Sequence, residues 1–208
     1  MTTSVKRPRC TARRLTASIA VLLSPVLVLS MPEDDLDAGI AAYNQGDLIG
    51  AMALYRSAAD AGLAEAQVRL AYILDYSEDD AAAVDLYRAA AEQRYADGYL
   101  GLAEMHVKGE GVEQDYAKAI ELYTKAAENG SLRAMRILMR AHDKGEFGLE
   151  ADASRAGEWL LRGAEAGDRQ AITELIDAYQ TGAFGMVVNE ERASYWRQQL
   201  DPVGVENE

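Results

Sequence analysis

The stretch Gly98 to Ala134, GYLGLAEMHVKGEGVEQDYAKAIELYTKAAENGSLRA, decides how the chain folds. Leu102, Ala103 and His106, at i, i+1 and i+4, share one face of a first helix, which Gly109-Glu110-Gly111-Val112 then interrupts. A second helix follows, with Ala119, Leu122, Tyr123, Ala126 and Ala127 at helical spacing and Asn129-Gly130 as a stop that admits positive φ. Two such short helices cannot hide their apolar faces alone, so the unit requires neighbours of its own kind.

The chain supplies them. Tyr55, Tyr87, Tyr123, Leu160 and Trp196 occupy corresponding second-helix positions at intervals of 32, 36, 37 and 36 residues. That period divides the 208 residues into four to five units and predicts an all-α stack of about five helix–turn–helix repeats. Asp37 to Ala59 forms a hairpin with a tight turn at Asn44 to Asp47. The next unit, from Ala66, is shortened, because Asp75-Tyr76-Ser77-Glu78-Asp79-Asp80 replaces the glycine loop, and Ser77 or Asp79 is placed to cap the helix carrying Tyr87. Later units run from Ala134 to Gly167 and from Ala171 to Trp196. With no Pro-rich or Gly/Ser-rich linker between units, residues 31–200 read as one continuous domain, followed by a polar tail at 201–208.

The pattern L-[GA]-x-x-Y-x-x-G-x-G-V-x-x-D-x-x-K-A-x-x-W-Y-x-K-A-A-x-x-G resembles the Sel-1-like repeat, a relative of the tetratricopeptide repeat. Leu102, Ala103, Gly109, Gly111, Val112, Asp115, Lys118, Ala119, Tyr123, Lys125, Ala126, Ala127 and Gly130 meet it, with His106 in the Tyr slot and Leu122 in the Trp slot. The following unit keeps Leu138, Gly145, Asp152, Arg155, Ala156, Trp159, Ala164 and Gly167, and departs at Met139, at His142 and in a loop one residue longer. The resemblance implies a right-handed α-solenoid, or superhelix, that scaffolds protein partners, in bacteria often in envelope regulation or exopolysaccharide export. It constrains class rather than identity.

Residues 1–30 form a separate segment. Five basic residues, Lys6, Arg7, Arg9, Arg13 and Arg14, precede the apolar run Leu15 to Ser30, and the acidic Glu33-Asp34-Asp35 follows. This order is that of a secretory signal peptide, and an uncleaved N-terminal anchor is the alternative. As a helix the apolar run reaches ~24 Å, short of the ~30 Å hydrocarbon core, and Pro25 interrupts it. A bacterial periplasmic or secreted location is therefore expected, with an inner-membrane attachment if the leader stays in place. Without the leader, 16 basic side chains face 34 acidic ones, a net −18 against the full chain's −13. Such a body repels nucleic acid and anionic lipid, so neither is an expected partner.

No catalytic constellation emerges. The one cysteine, Cys10, lies in the leader, which removes disulfides, thiolate metal sites and a cysteine nucleophile from the body. His106 and His142 stand 36 residues apart in one register, but both occupy the repeat's Tyr slot, where a flat ring packs between helices. Repeat neighbours sit ~10 Å apart, too far for two imidazoles to share one zinc at ~2.1 Å. Gly109-Glu110-Gly111 and Gly145-Glu146-Phe147-Gly148 lack the preceding strand and the following Lys-Ser/Thr of a phosphate loop. Glu33-Asp34-Asp35 and Glu78-Asp79-Asp80 lack calcium-loop spacing. No enzyme activity, metal or cofactor is expected.

One charge pattern stands out. Arg133, Arg136, Arg140 and Lys144 form a stripe along a first helix. By analogy with tetratricopeptide hairpins, residues five and two before the repeat Leu, and two, five and six after it, face the concave groove. Counting from Leu138 gives Arg133, Arg136, Arg140, Asp143 and Lys144, and from Leu102 gives Asp97, Leu100, Glu104, Val107 and Lys108. From Leu175 the count gives Gln170, Thr173, Asp177, Gln180 and Thr181, and from Leu70 Glu65, Val68, Tyr72, Asp75 and Tyr76. The expected groove is basic at its middle and aromatic toward its N-terminal end. Its expected partner-binding residues are Arg133, Arg136, Arg140, Lys144, Tyr72, Tyr76, Glu104 and Asp177. The competing reading holds Arg140 between Glu104 and Asp177 as an inter-repeat ion pair, while Arg136 aligns with Leu100 and Thr173, which cannot pair with it.

The expectation is a non-enzymatic exported scaffold that binds a protein or peptide segment in its groove. A structural assembly role for the convex face and end repeats is one alternative. A polysaccharide-binding or cell-wall-associated role is another.

Overall fold

A computed structural model describes residues 31–200; the leader and the C-terminal tail lie outside the described residues. Ten α-helices form five hairpins, α1 (Pro32–Asn44) with α2 (Leu48–Asp60), α3 (Ala64–Tyr76) with α4 (Asp80–Glu92), α5 (Ala96–Lys108) with α6 (Tyr116–Glu128), α7 (Leu132–Lys144) with α8 (Ala153–Glu165), and α9 (Arg169–Thr181) with α10 (Glu190–Leu200). Each second helix packs on the first helix of the next hairpin, and α3 also touches α5. No strand occurs among the described residues, which form a solenoid of stacked hairpins.

Small side chains make the close crossings possible. Ala51, Ala83, Ala119, Ala156 and Ala193 hold equivalent second-helix positions, and each is 0% exposed. Around them Tyr55, Leu70, Tyr87, Leu102, Tyr123, Leu138, Leu160 and Leu175 fill the core between helix layers. Trp196 departs from the second-helix series expected from the sequence: it stands three residues after Ala193, whereas Tyr55, Tyr87, Tyr123 and Leu160 stand four after their alanines, so it shares the half-buried slot of Trp159.

The helix ends follow local chemistry. The N–H groups of Gly50, Lys118, Ala134 and Arg155 donate to the side chains of Asp47, Asp115, Ser131 and Asp152, satisfying amides that a helix start leaves free. Gly109, Gly145 and Gly182 close α5, α7 and α9 in the left-handed region. At α4 the expectation fails: Asp79 is the N-cap without a side-chain bond, and the Ser77 hydroxyl instead donates backward to the carbonyls of Ile73 and Leu74. The shortened loop leaves Ser77 on the preceding helix, where the nearest acceptors belong to that helix's last turn.

The three long loops share a device that the sequence does not announce. Gly111, Phe147 and Phe184 are equivalent residues, and all have positive φ. Each turn presses back on the preceding hairpin. Gly111 lies against the Asp80 carbonyl, Phe147 against the rings of Tyr116 and Tyr123 at 5.8 and 6.1 Å, and Phe184 against Gly157.

Candidate functional site

The first helices line an open cleft of about 1220 Å³ that runs from Tyr43 of α1 to Arg133 of α7. Its lining includes nine of the ten groove positions counted from Leu70 and Leu102, all except Val107. Val68 and Leu100 give it apolar ground, while Tyr72 and Tyr76 stand into solvent at 56% and 84% exposure. The count from tetratricopeptide hairpins therefore transfers well to α3 and α5.

Charge distributes differently from the sequence expectation. Seven carboxylates line the cleft, from Glu65, Asp75, Glu78, Asp80, Asp97, Glu104 and Glu110, against three cations, Arg69, Lys108 and Arg133. Each cation is already engaged. Arg69 pairs with Glu65 at 2.7 Å, Arg133 with Glu104 at 2.6 Å, and Lys108 with Glu110 at 2.8 Å and Asp75 at 3.5 Å. The middle of the cleft is acidic, where the stripe of arginines led to the expectation of a basic one.

Of the residues singled out in the sequence, Tyr72, Tyr76, Glu104 and Arg133 come together here. Arg136, Arg140, Lys144 and Asp177 do not line this cleft. Arg136 reaches the next hairpin, where its Nε lies 3.6 Å from an Asp168 carboxylate oxygen and its Nη1 3.4 Å from Gln170 Oε1. It does find a carboxylate, because Asp168, the α9 N-cap, precedes the helix that the aligned positions compare. Arg140 donates to Glu146 in its own hairpin's loop at 3.0 Å, not to Glu104 or Asp177. Lys144 and Asp177 are exposed.

Asp75, Asp80 and Glu110 bring carboxylate oxygens within 4.8 Å of one another. The Lys108 ammonium already lies against two of them, so the cluster carries its own counter-ion. Burial, with repulsion from Glu110 and Asp75, raises the Asp80 pKa, and Lys108 opposes that rise. Burial likewise raises Glu104 against the pull of Arg133 and Lys108.

One contributor escaped sequence reading. Tyr87 belongs to α4, a second helix, yet its ring crosses Gly101 of α5 so closely that a Cβ there would collide with it. The passage carries the Tyr87 hydroxyl into the cleft, while the residue stays 5% exposed. Burial and the charges of Asp75 and Glu104 push its pKa up, which keeps the hydroxyl protonated. The available signal was the pairing of a bulky aromatic with a glycine on the facing helix. Tyr55 passes Gly39 in the same manner and meets Arg69.

His142 is buried at 7% exposure, and burial lowers its pKa, helped by Arg155. Its backbone carbonyl accepts from Asp152 N–H, and His106 accepts equivalently from Asp115 N–H. The two residues thus occupy one structural slot.

Stacked helical hairpins with a lined concave face define a repeat scaffold. The Sel1 repeat family profile matches residues 41–63, 64–95, 96–131 and 134–168, and the chain belongs to that family. A Sel1 repeat protein from Oxalobacter formigenes is similar at 30% identity over 83% of this chain and 74% of its own, with a TM-score of 0.62. A protective antigen of uropathogenic Escherichia coli with an SLR fold is 26% identical over 83% of this chain and 38% of its own, at TM-score 0.66. A putative Sel1 repeat protein from Klebsiella pneumoniae, 21% identical over 79% of this chain and 83% of its own at TM-score 0.54, shares the fold. No curated protein matches the chain significantly. Sel1 repeats generally serve as non-catalytic scaffolds for protein–protein interaction.

Proposed function

We propose that this chain is an exported bacterial scaffold whose concave cleft holds a segment of a partner protein, in envelope regulation or export. The supporting observation is the cleft itself, continuous along the first helices and carrying two exposed tyrosines on one helix. Large amphipathic rings on a rigid helix give contact area at little entropic cost.

The arginines of α7 act chiefly as ties between and within hairpins. Arg133 alone lines the cleft, already paired, and exposed pairs of this kind contribute ~0.2–1 kcal/mol each. The test is photo-crosslinking from position 76 in cells, with position 165 on the outer helix α8 as control. A partner captured from 76, not from 165, and lost on Tyr72→Ala/Tyr76→Ala supports the cleft; equal capture from both positions rejects it. Export rests on the basic-then-apolar leader, and N-terminal sequencing of the envelope-associated protein tests it. A cytoplasmic protein beginning at Met1 would refute that part.

A further inference from the structure

The chemistry of the partner segment follows from what the cleft leaves unsatisfied. Glu78, Asp80 and Asp97 line it with no cation of the described residues at ion-pair distance, and the full lining carries four more negative than positive groups. The second observation is independent of charge. Tyr87 is 95% enclosed and lines the cleft, yet its hydroxyl makes no hydrogen bond with the described residues. A polar group delivered to a cleft through a glycine-sized gap and left open is a ready acceptor for an incoming donor.

Resting on the cleft assignment above, we infer that the bound segment carries lysine or arginine side chains. Their cationic heads sit against Glu78, Asp80 and Asp97 and donate to the Tyr87 hydroxyl, while their alkyl stems lie on the Tyr72 and Tyr76 rings. Two features support a segment rather than a free cation: the cleft crosses four hairpins, and it has apolar ground at Val68 and Leu100 for the stems. A partner's cation is redundant at Glu65, Asp75, Glu104 and Glu110, where Arg69, Lys108 and Arg133 already stand.

The test measures fluorescence anisotropy of a labelled peptide alternating lysine and leucine, and of its glutamate–leucine counterpart, with the full chain. The lysine probe is expected to bind at least about tenfold more tightly. Tyr87→Phe, which removes one oxygen and no protein hydrogen bond, is expected to weaken it by about threefold or more at an unchanged melting temperature, and Asp80→Asn/Asp97→Asn by about tenfold. Glu128→Gln/Glu165→Gln, on the outer helices, leaves it unchanged. Equal binding of both probes overturns the inference, as does equal weakening by the outer-helix variant, which marks diffuse charge attraction. Tighter probe binding after replacing Lys6, Arg7, Arg9, Arg13 and Arg14 by serine would instead make this chain's own N-terminus the occupant. Displacement by spermidine at matched charge would make it a free polyamine. If the cross-linked partner is lost on Tyr72→Ala/Tyr76→Ala while the lysine probe shows no preference, the cleft stands and only its cationic ligand falls.

Discussion

At the scale of single residues, the Tyr87–Gly101 contact carries the most weight. The ring needs the space that glycine leaves, so Gly101→Ala must displace either a core tyrosine or helix α5. Overpacking of this kind costs ~1–3 kcal/mol, so a lower melting temperature is expected, and an unchanged one would mean that the crossing is loose. His142 offers a pH test. Its folded pKa lies below the ordinary 6.5, so its contribution is complete above that value and is lost as pH falls and the unfolded chain takes up the proton first. Against a His142→Phe variant, the wild type is therefore expected to lose relative thermal stability below pH 6.5. Parallel pH curves would exclude the buried imidazole as the cause.

At the scale of elements, the chain depends on the joints between helices. Asp168 is 6% exposed; its Oδ1 accepts from the N–H groups of Gln170 and Ala171, and its Oδ2 faces Arg136. Asp168→Ala is expected to cost ~0.5–2 kcal/mol in a denaturant titration through loss of the cap. Asp168→Asn keeps a capping oxygen and loses only the charge opposite Arg136, so its cost is smaller. Equal costs would place the value of Asp168 in the ion pair. The sequence announced the arginine stripe but not its partners, since a side chain that long reaches across a hairpin boundary and meets whichever acid the superhelical offset brings near. Arg133 meets Glu104, two positions after its own repeat's Leu, although Arg133 itself stands five before.

At the scale of the whole molecule, the stack gathers acids that are distant in sequence onto one concave surface. Asp80 and Glu104 carry raised pKa values, and binding a cation favours their ionised forms. Lysine-probe affinity is accordingly expected to weaken as pH falls through the raised range of these two groups, with Asp75, Glu110, Lys108 and Arg133 sharing the same field. Added salt weakens it as well. An affinity flat from neutral to acidic pH would remove the carboxylates from the interaction.

The repeat, its period and the helical hairpin were legible in the sequence because they depend on local spacing. Alanines every three dozen residues permit close crossings, glycines end helices, and aromatics recur where a core must be filled. The positions facing the groove on α3 and α5 were legible too, since side-chain direction on a helix follows from register. The sign of the cleft's charge was not. It depends on which acid each arginine reaches and on Asp75, Asp80 and Glu110 converging from two hairpins. Those are distances between elements, and only the stacking angle of one hairpin on the next decides them.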